Sequence, residues 1–463
     1  MKLRPVRAAI LLLAAAALPA FAGCGDRGGR PAADATPGPG GPSSRGRVVL
    51  FGVDGADWQV IEPLVRRGRL PSFRRLIEEG ATGVLRSMDP SASPSLWTTI
   101  ATGVGPERHG IHGFVVPRGA ETAAGEEPAV GGPEAIRPVT SDMRKAPAFW
   151  TILPRHGRTV GVVGWLVTWP AEPVDGFVVS SYLPYLYNWS TGRPLKGTIV
   201  EGIPRQTWPE DLIAGLEADK VKPADLGAQD LRRFYDPDRV TGLPAADREC
   251  VEGFVWSLAC DETYRRIGLR LFETQPVDLF AVYFGGIDVA SHRFWKFAFP
   301  GAMDYGVGET ERAVLGRVLE EYYVYVDELL GEYLARLGPE DTILVLSDHG
   351  FRPVLVPGRP TTSGHHRHEG ILGVLGRGAR RGHRFAEASI LDVLPTVLLL
   401  VDVPIARDLE GRIIGEAIDR EFAAAHPPRF VDAYAIAPPP ADAVPEDLDS
   451  NVLERLRSLG YIN

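Results

Sequence analysis

Two apolar runs of strand length constrain the fold of this chain more than any other feature. Val48-Val49-Leu50-Phe51-Gly52-Val53 ends in Asp54-Gly55, and Thr342-Ile343-Leu344-Val345-Leu346 ends in Ser347-Asp348-His349-Gly350. An apolar run without polar alternation is a strand covered on both faces, the pattern of a parallel sheet. Open parallel sheets place their chemistry at the carboxyl edge of the strands. Two such strands would deliver carboxylates and a histidine to one edge, a combination that points to a metal.

The segments between them fit that sheet. Gln59 to Arg67 and Pro71 to Glu79 have helical periodicity, with Pro71 suited to a first turn and Gly80 to a stop. Small hydroxyl residues and prolines from Met88 onward lead into a helix predicted from about Pro94, whose N-terminus would attract an anion. Gly105 to Ile111 reads as a tight turn. A helix is expected near Phe149–Leu153, with strands at Thr159–Trp165 and Gly176–Ser181. Long helices are predicted over Asp247–Phe272 and Arg312–Leu337, the second with Val318, Tyr322, Val326, Leu329, Tyr333 and Leu337 along one side. Between them lies a strand at Val277–Phe284, followed by Gly285-Gly286-Ile287-Asp288. Helix alternating with strand implies right-handed crossovers and a mostly parallel central sheet flanked by helices. Residues 118–139 and 182–247 read as inserted cap or lid segments. The cluster Tyr182, Tyr185, Tyr187 and Trp189 suits a pocket lining or lid packing equally well.

The two chain ends lie outside this frame. Lys2, Arg4 and Arg7 precede an apolar stretch, Ala8 to Ala22, that is short for a bilayer span and has the form of a signal peptide over residues 1–23. Phe21-Ala22-Gly23-Cys24 resembles a bacterial lipobox, which would make lipidated Cys24 the mature N-terminus of an exported protein held in the cell envelope. Residues 24–46 are rich in Gly, Pro, Ala and Ser, a tether that cannot bury a core. The catalytic domain is expected over residues 47–420 and a tail over 421–463, with a Pro-rich patch at Pro438–Pro440 and a short helix at Val452–Leu459. A formal net charge of −9 with no basic block argues against a nucleic-acid polymer as partner. Cys250 and Cys260 sit ten residues apart on one predicted helix, about 15 Å along its axis, so they are expected to be semi-buried thiols rather than a disulfide.

The polar residues at strand ends carry the chemistry. Asp288 and His292 lie four apart just after a strand, so a helix starting there puts both on one face. Asp348 and His349 are adjacent, and Gly350 lets the backbone turn so that both can face one site. Gly364-His365-His366-Arg367-His368-Glu369-Gly370 reads as a His-rich loop. Singly, an Asp at a strand end is more often a cap, and a His-rich surface loop is usually only solvated. Together Asp54, Asp288, His292, Asp348, His349 and one loop histidine form an N/O ligand set without thiolate, suited to two zinc-like ions in a shared site.

In that order these motifs resemble the alkaline phosphatase superfamily, and within it the type I phosphodiesterase/nucleotide pyrophosphatase family. The resemblance covers most of Arg47 to Gly415. It rests on Val53-Asp54-Gly55, Ser93-Pro94-Ser95-Leu96-Trp97-Thr98-Thr99-Ile100-Ala101-Thr102-Gly103, Pro106-Glu107-Arg108-His109-Gly110, Asp288 with His292, Ser347-Asp348-His349-Gly350 and Leu391-Asp392-Val393-Leu394-Pro395-Thr396. It implies an alkaline phosphatase-like α/β fold and a metal-dependent phosphoric ester hydrolase acting on a small phosphate ester. Asp54, Asp348 and His349 would hold one divalent ion, expected to be Zn2+, with the nucleophile Ser93 on it. Asp288, His292 and His366 would hold the other, with His365 as the substitute for His366. His109 and His368 would be structural. Ser93 would form a phospho-enzyme, with Ser91 and Ser95 as alternative registers. The same site would also serve a phosphomonoesterase or a phosphonate hydrolase, and a surface-anchored binding protein without turnover is the reading from another class. Ala92, two before Pro94, stands where a sulfatase of this superfamily would need Cys or Ser. Pro94-Ser95-Leu96 replaces the Phe-Pro-Asn that often follows the nucleophile in nucleotide-binding relatives.

Overall fold

The computed structural model describes residues 46–117, 136–183, 185–187, 197–199 and 203–436. Cys24, the signal and tether segments, Trp189, most of the first insertion, Pro438–Pro440 and the helix expected at Val452–Leu459 lie outside these residues. The chain divides into a short unit, Met1–Gly40, and the unit Gly41–Asn463 that contains everything described below.

In chain order the elements that build the site are β1 (Val48–Val53), α1 (Trp58–Arg66), α2 (Pro71–Glu79), β2 (Ala81–Arg86), α3 (Ser93–Thr102), α4 (Phe149–Arg155), β3 (Val160–Val163), β4 (Gly176–Val179) and β5 (Thr207–Trp208). They continue with α5 (Ala245–Thr274), β6 (Leu279–Phe284), α6 (Gly286–Ala298), α7 (Glu309–Leu315), α8 (Val318–Leu334) and β7 (Thr342–Leu346). The last are β8 (Gly350–Pro353), β9 (Gly364–Arg367), β10 (Glu369–Gly376), β11 (His383–Ser389) and α9 (Val393–Leu400).

The nine-stranded sheet runs β11-β2-β10-β7-β1-β6-β3-β4-β5. Its centre, β7-β1-β6-β3-β4, is parallel throughout. β10 enters antiparallel to both β7 and β2, and β5 closes the far edge antiparallel to β4. The fold is therefore mixed α/β around a mostly parallel sheet, as the strand composition predicts.

Both faces of that sheet are covered, which is why the central strands carry no polar alternation. Val49, Phe51 and Val53 of β1, Phe280, Val282 and Phe284 of β6, and Ile343 and Val345 of β7 belong to one apolar layer, under α1, α2, α5, α6 and α8. The alternate residues Val48, Leu50, Leu279, Ala281, Leu344 and Leu346 belong to the other, with α3, α4 and α9. At Gly52 an added Cβ would stand 2.7 Å from the Trp97 ring, so the glycine lets α3 lie against the middle of β1.

Three expectations change. The His-rich segment is not a loop: Gly364–Arg367 is a strand paired antiparallel with Gly350–Pro353. The helix expected over Arg312–Leu337 is two, broken at Gly316-Arg317. The Gly105–Ile111 turn contains one helical turn, Pro106–His109. In the expected tail, a two-residue strand, Phe430–Val431, pairs with Ile405–Ala406. Cys250 and Cys260 are buried free thiols on α5, and burial pushes Cys250 up to about 12. No helix among the described residues is long and apolar enough to cross a membrane.

Candidate active site

Because β7, β1 and β6 are adjacent and parallel, their carboxyl ends share one edge. Val53 is level with Phe284 and Gly52 with Leu346, which brings Asp54, the Gly285-Gly286 turn and Ser347-Asp348-His349 together. Gly55 holds φ at +73°, and a Cβ there would lie 2.6 Å from the Phe351 ring and 3.0 Å from the Asp288 backbone. The glycine after the first acid is thus a requirement of how closely these three ends approach.

α6 begins right after β6 and carries Asp288 and His292 one turn apart, with His292 Nε2 3.4 Å from Asp288 Oδ1. The hairpin β8–β9 folds back to place His366 Nε2 3.3 Å from the same oxygen and 2.9 Å from His292 Nε2. His349 Nε2 lies 3.2 Å from Asp54 Oδ1, 3.6 Å from Asp348 Oδ2 and 3.7 Å from Asp288 Oδ1. Its ring stacks on His366 at 3.7 Å. Two groups with donor atoms close enough for one ion each result: Asp288, His292 and His366, and Asp54, Asp288 and His349. Asp288 reaches both, while Asp348 stands beside His349 at the edge of the second group. His365 is exposed, and its ring lies on the opposite side of β9 from His366.

The donor chemistry fits cations. Nδ1 of His292 faces the Gly364 carbonyl at 2.9 Å, and Nδ1 of His366 faces the Ser91 carbonyl at 2.8 Å. A carbonyl only accepts, so each Nδ1 carries the proton and each Nε2 presents a lone pair. Two neutral imidazoles cannot hydrogen-bond through those nitrogens, whereas a shared cation satisfies both. Among the described residues, Asp288 Oδ1, both oxygens of Asp348 and His349 Nε2 are likewise buried without a hydrogen-bond partner, an arrangement costly to keep unless something else binds them.

The electrostatics tell the same story. Burial pushes Asp288 up, but positive charge at the Nε2 positions of His292 and His366, there when those rings take a second proton, outweighs it and holds its carboxyl well below the usual range. Burial, and then the Asp54 carboxylate, push Asp348 well above it. Burial lowers His349, yet Asp348 and Asp54 raise it further, leaving the imidazole above its ordinary value. Acids crowded so tightly that one must take up a proton are poised for a divalent ion.

Ser93 opens α3 over this cluster. Its Oγ is buried and lies 3.5 Å from Asp54 Oδ1. The amides after it are committed, since Ser95 and Leu96 both donate to the Ala92 carbonyl and Pro94 has no N–H. That helix end offers its dipole rather than a row of free donors. His109 is buried between Thr99 Oγ1 and the Ile111 amide, and burial lowers it to about 3. His368 is half-buried and meets Asp89 at 3.5 Å.

Four supporting residues escaped the sequence reading. Tyr283 and Trp97 donate to Asp54 Oδ2 at 2.6 and 3.1 Å and so orient its other oxygen toward the cluster. Trp97, one turn after Ser93 on α3, had a legible position; Tyr283 had none. Asp261, on α5, accepts from the amides of Gly285 and Gly286 and from the Tyr322 hydroxyl, pinning the start of α6. Burial pushes it up to about 7 against those three donors. Asp57 accepts four hydrogen bonds at once, from the Gln59 and Phe351 amides and twice from the Arg367 guanidinium.

Residues 48–367 match the model of the type I phosphodiesterase/nucleotide pyrophosphatase family. No curated protein matches the chain. Among solved structures, murine and human ectonucleotide pyrophosphatase/phosphodiesterase 5 each share 13% identity over 81% of this chain and 100% of theirs, with TM-scores of 0.47 and 0.46. Phosphonoacetate hydrolase from Sinorhizobium meliloti 1021 shares 22% identity over 67% of this chain and 57% of its own, with a TM-score of 0.38.

Proposed function

The chain belongs to the type I phosphodiesterase/nucleotide pyrophosphatase family, a hydrolase family of phosphoric ester bonds, and on that premise we propose a two-metal enzyme that works through Ser93. The observation that carries this reading is the placement of the Ser93 hydroxyl 3.5 Å from Asp54 Oδ1, at the rim of a cluster whose unpaired donors fit two cations. Asp54, Asp348 and His349 would hold one ion beside Ser93, and Asp288, His292 and His366 the other; an all-N/O set suits zinc. Bound there, two divalent ions supply positive charge to the phosphoryl oxygens and lower the pKa of a hydroxyl or water nearby.

The protein's own part follows from the geometry. Asp54, held by Tyr283 and Trp97, keeps the Ser93 hydroxyl aimed into the cluster. Ser93 Oγ gives its proton to solvent and bonds to phosphorus as the bond to the leaving oxygen breaks and that oxygen takes up a proton, giving a phosphoserine. Water then bonds to phosphorus, the Oγ–P bond breaks, and the serine recovers its proton. The positive end of α3 lies against the phosphoryl charge throughout. A small phosphodiester or pyrophosphate is the substrate; a phosphomonoester or phosphonate uses the same groups.

Brief reaction with a chromogenic diester, acid quench and peptide mapping test the reading. Phosphate on the peptide at Ser93 is expected; phosphate on Ser91 or Ser95, or none with turnover intact, overturns it. A parallel panel of monoesters and phosphonates ranks the substrate classes. The N-terminal segment supports export and anchoring to the envelope membrane through lipidated Cys24. Labelled fatty acid should enter the parent but not Cys24→Ser, and no incorporation in the parent refutes the anchor.

A further inference from the structure

Asp57 is fully buried three residues beyond Asp54, and its carboxylate joins the turn after β1 to the start of β8 and to β9. Oδ1 accepts from the Gln59 amide at 2.7 Å, capping α1 and so fixing the turn that follows Asp54. Oδ2 accepts from the Phe351 amide at 2.9 Å, two residues after His349. Arg367, the residue after His366, closes on both oxygens, with Nε 2.8 Å from Oδ2 and Nη2 2.7 Å from Oδ1. Neighbours on a strand face opposite sides, so β9 sends His366 into the donor cluster and Arg367 to Asp57 behind it. At Gly350 an added Cβ would stand 2.6 Å from Asp57 Oδ2, which leaves the carboxylate room to lie against the start of β8.

We propose that the Asp57–Arg367 pair is a positioning device for the metal cluster, setting the distance between the β1 end and the β8–β9 hairpin so that His349 and His366 meet Asp54 and Asp288. Neither residue touches substrate or ion. A bidentate charge-assisted pair fixes orientation as well as distance, and groups that hold metal ligands from behind are worth roughly 10- to 100-fold in metal affinity. The inference rests on the two-ion reading above.

Its test uses the full chain, with Arg367→Lys, Asp57→Asn and, as a control, Arg144→Lys. The control disturbs another buried ion pair, in which Arg144 Nη2 donates to both oxygens of Glu172 at 2.8 Å. Zinc content and affinity are measured by equilibrium dialysis with elemental analysis, melting by circular dichroism, and kcat and KM with a chromogenic diester. Arg367→Lys keeps the charge and should stay folded, yet bind zinc roughly 10-fold or more weakly and lose kcat with little change in KM. Asp57→Asn should fall further, and Arg144→Lys should lower the melting temperature without moving zinc affinity. Parental zinc affinity in a destabilised Arg367→Lys would make the pair merely structural and overturn the proposal, whether or not Asp57→Asn folds. A parent that binds no zinc would defeat the two-ion reading instead.

Discussion

At the scale of single residues, the separation between nucleophile and bystander is narrow, because Ser91, Ser93 and Ser95 occur within five positions. Ser91 contributes its backbone carbonyl to His366, which alanine would retain, and the buried Ser95 hydroxyl has no hydrogen-bond partner among the described residues. Ser93→Ala should therefore keep metal content and melting temperature while turnover drops roughly 10³-fold or more, the scale for removing a nucleophile. Ser91→Ala and Ser95→Ala should cost far less, and Ser93→Thr should keep some activity. Steady-state kinetics on the four proteins decide it; undiminished turnover in Ser93→Ala refutes the assignment. Gly55 makes a different demand. Alanine there must adopt φ near +73° and push a methyl group into Phe351, so Gly55→Ala should lose at least about 1–2 kcal/mol. An unshifted urea midpoint would show that the loop yields freely.

At the scale of elements, two helices next to the sheet borrow their caps. α2 begins after Leu70, which has no capping side chain, and Asp327 on α8 accepts from the amides of Ser72 and Phe73 instead. α6 receives the same service from Asp261. Burial pushes the Asp327 carboxyl up to about 6, against the pull of those amides. The native protein then keeps a proton that the unfolded chain, with an Asp value near 3.9, has already released. Stability from this group is full below about pH 4, falls as pH rises to about 6 and is level above. Asp327→Asn removes that slope, so denaturation curves across the window should show the variant gaining on the parent by up to about 3 kcal/mol. A constant gap would sink the idea. The same borrowing explains what the sequence could not reveal. Central strands and their terminal acids are local signals, an unbroken apolar run followed by Asp, and they were legible. Gly364–Arg367 becomes a strand only because Gly350–Pro353 lies beside it, and the partner of Asp57 is Arg367, at the far end of the domain. The break at Gly316-Arg317 was hidden because Val314, Leu315 and Val318 continue the apolar stripe across it.

At the scale of the whole molecule, the carboxyl edge of the sheet gathers three carboxyl groups, Asp54, Asp288 and Asp348, around His349. Ligands that bind the native state alone stabilise it by mass action, about 2.7 kcal/mol at a hundredfold excess over Kd. Zinc should therefore raise the melting temperature by a few degrees and a chelator should lower it. Calorimetry with and without chelator, at fixed protein concentration, reports this directly; identical curves would count against bound ions. Strand order has its own consequence for how the enzyme comes into being. β1 is the first strand of the sheet to be synthesised, yet its two neighbours begin only at Leu279 and Thr342. Until they emerge, its apolar faces and both hydrogen-bonding edges lack their partners, a topology that folds slowly and favours misassociation. His366 follows later still, so on the proposed two-ion reading a nascent chain halted short of it would hold every other ligand candidate and still lack a complete site.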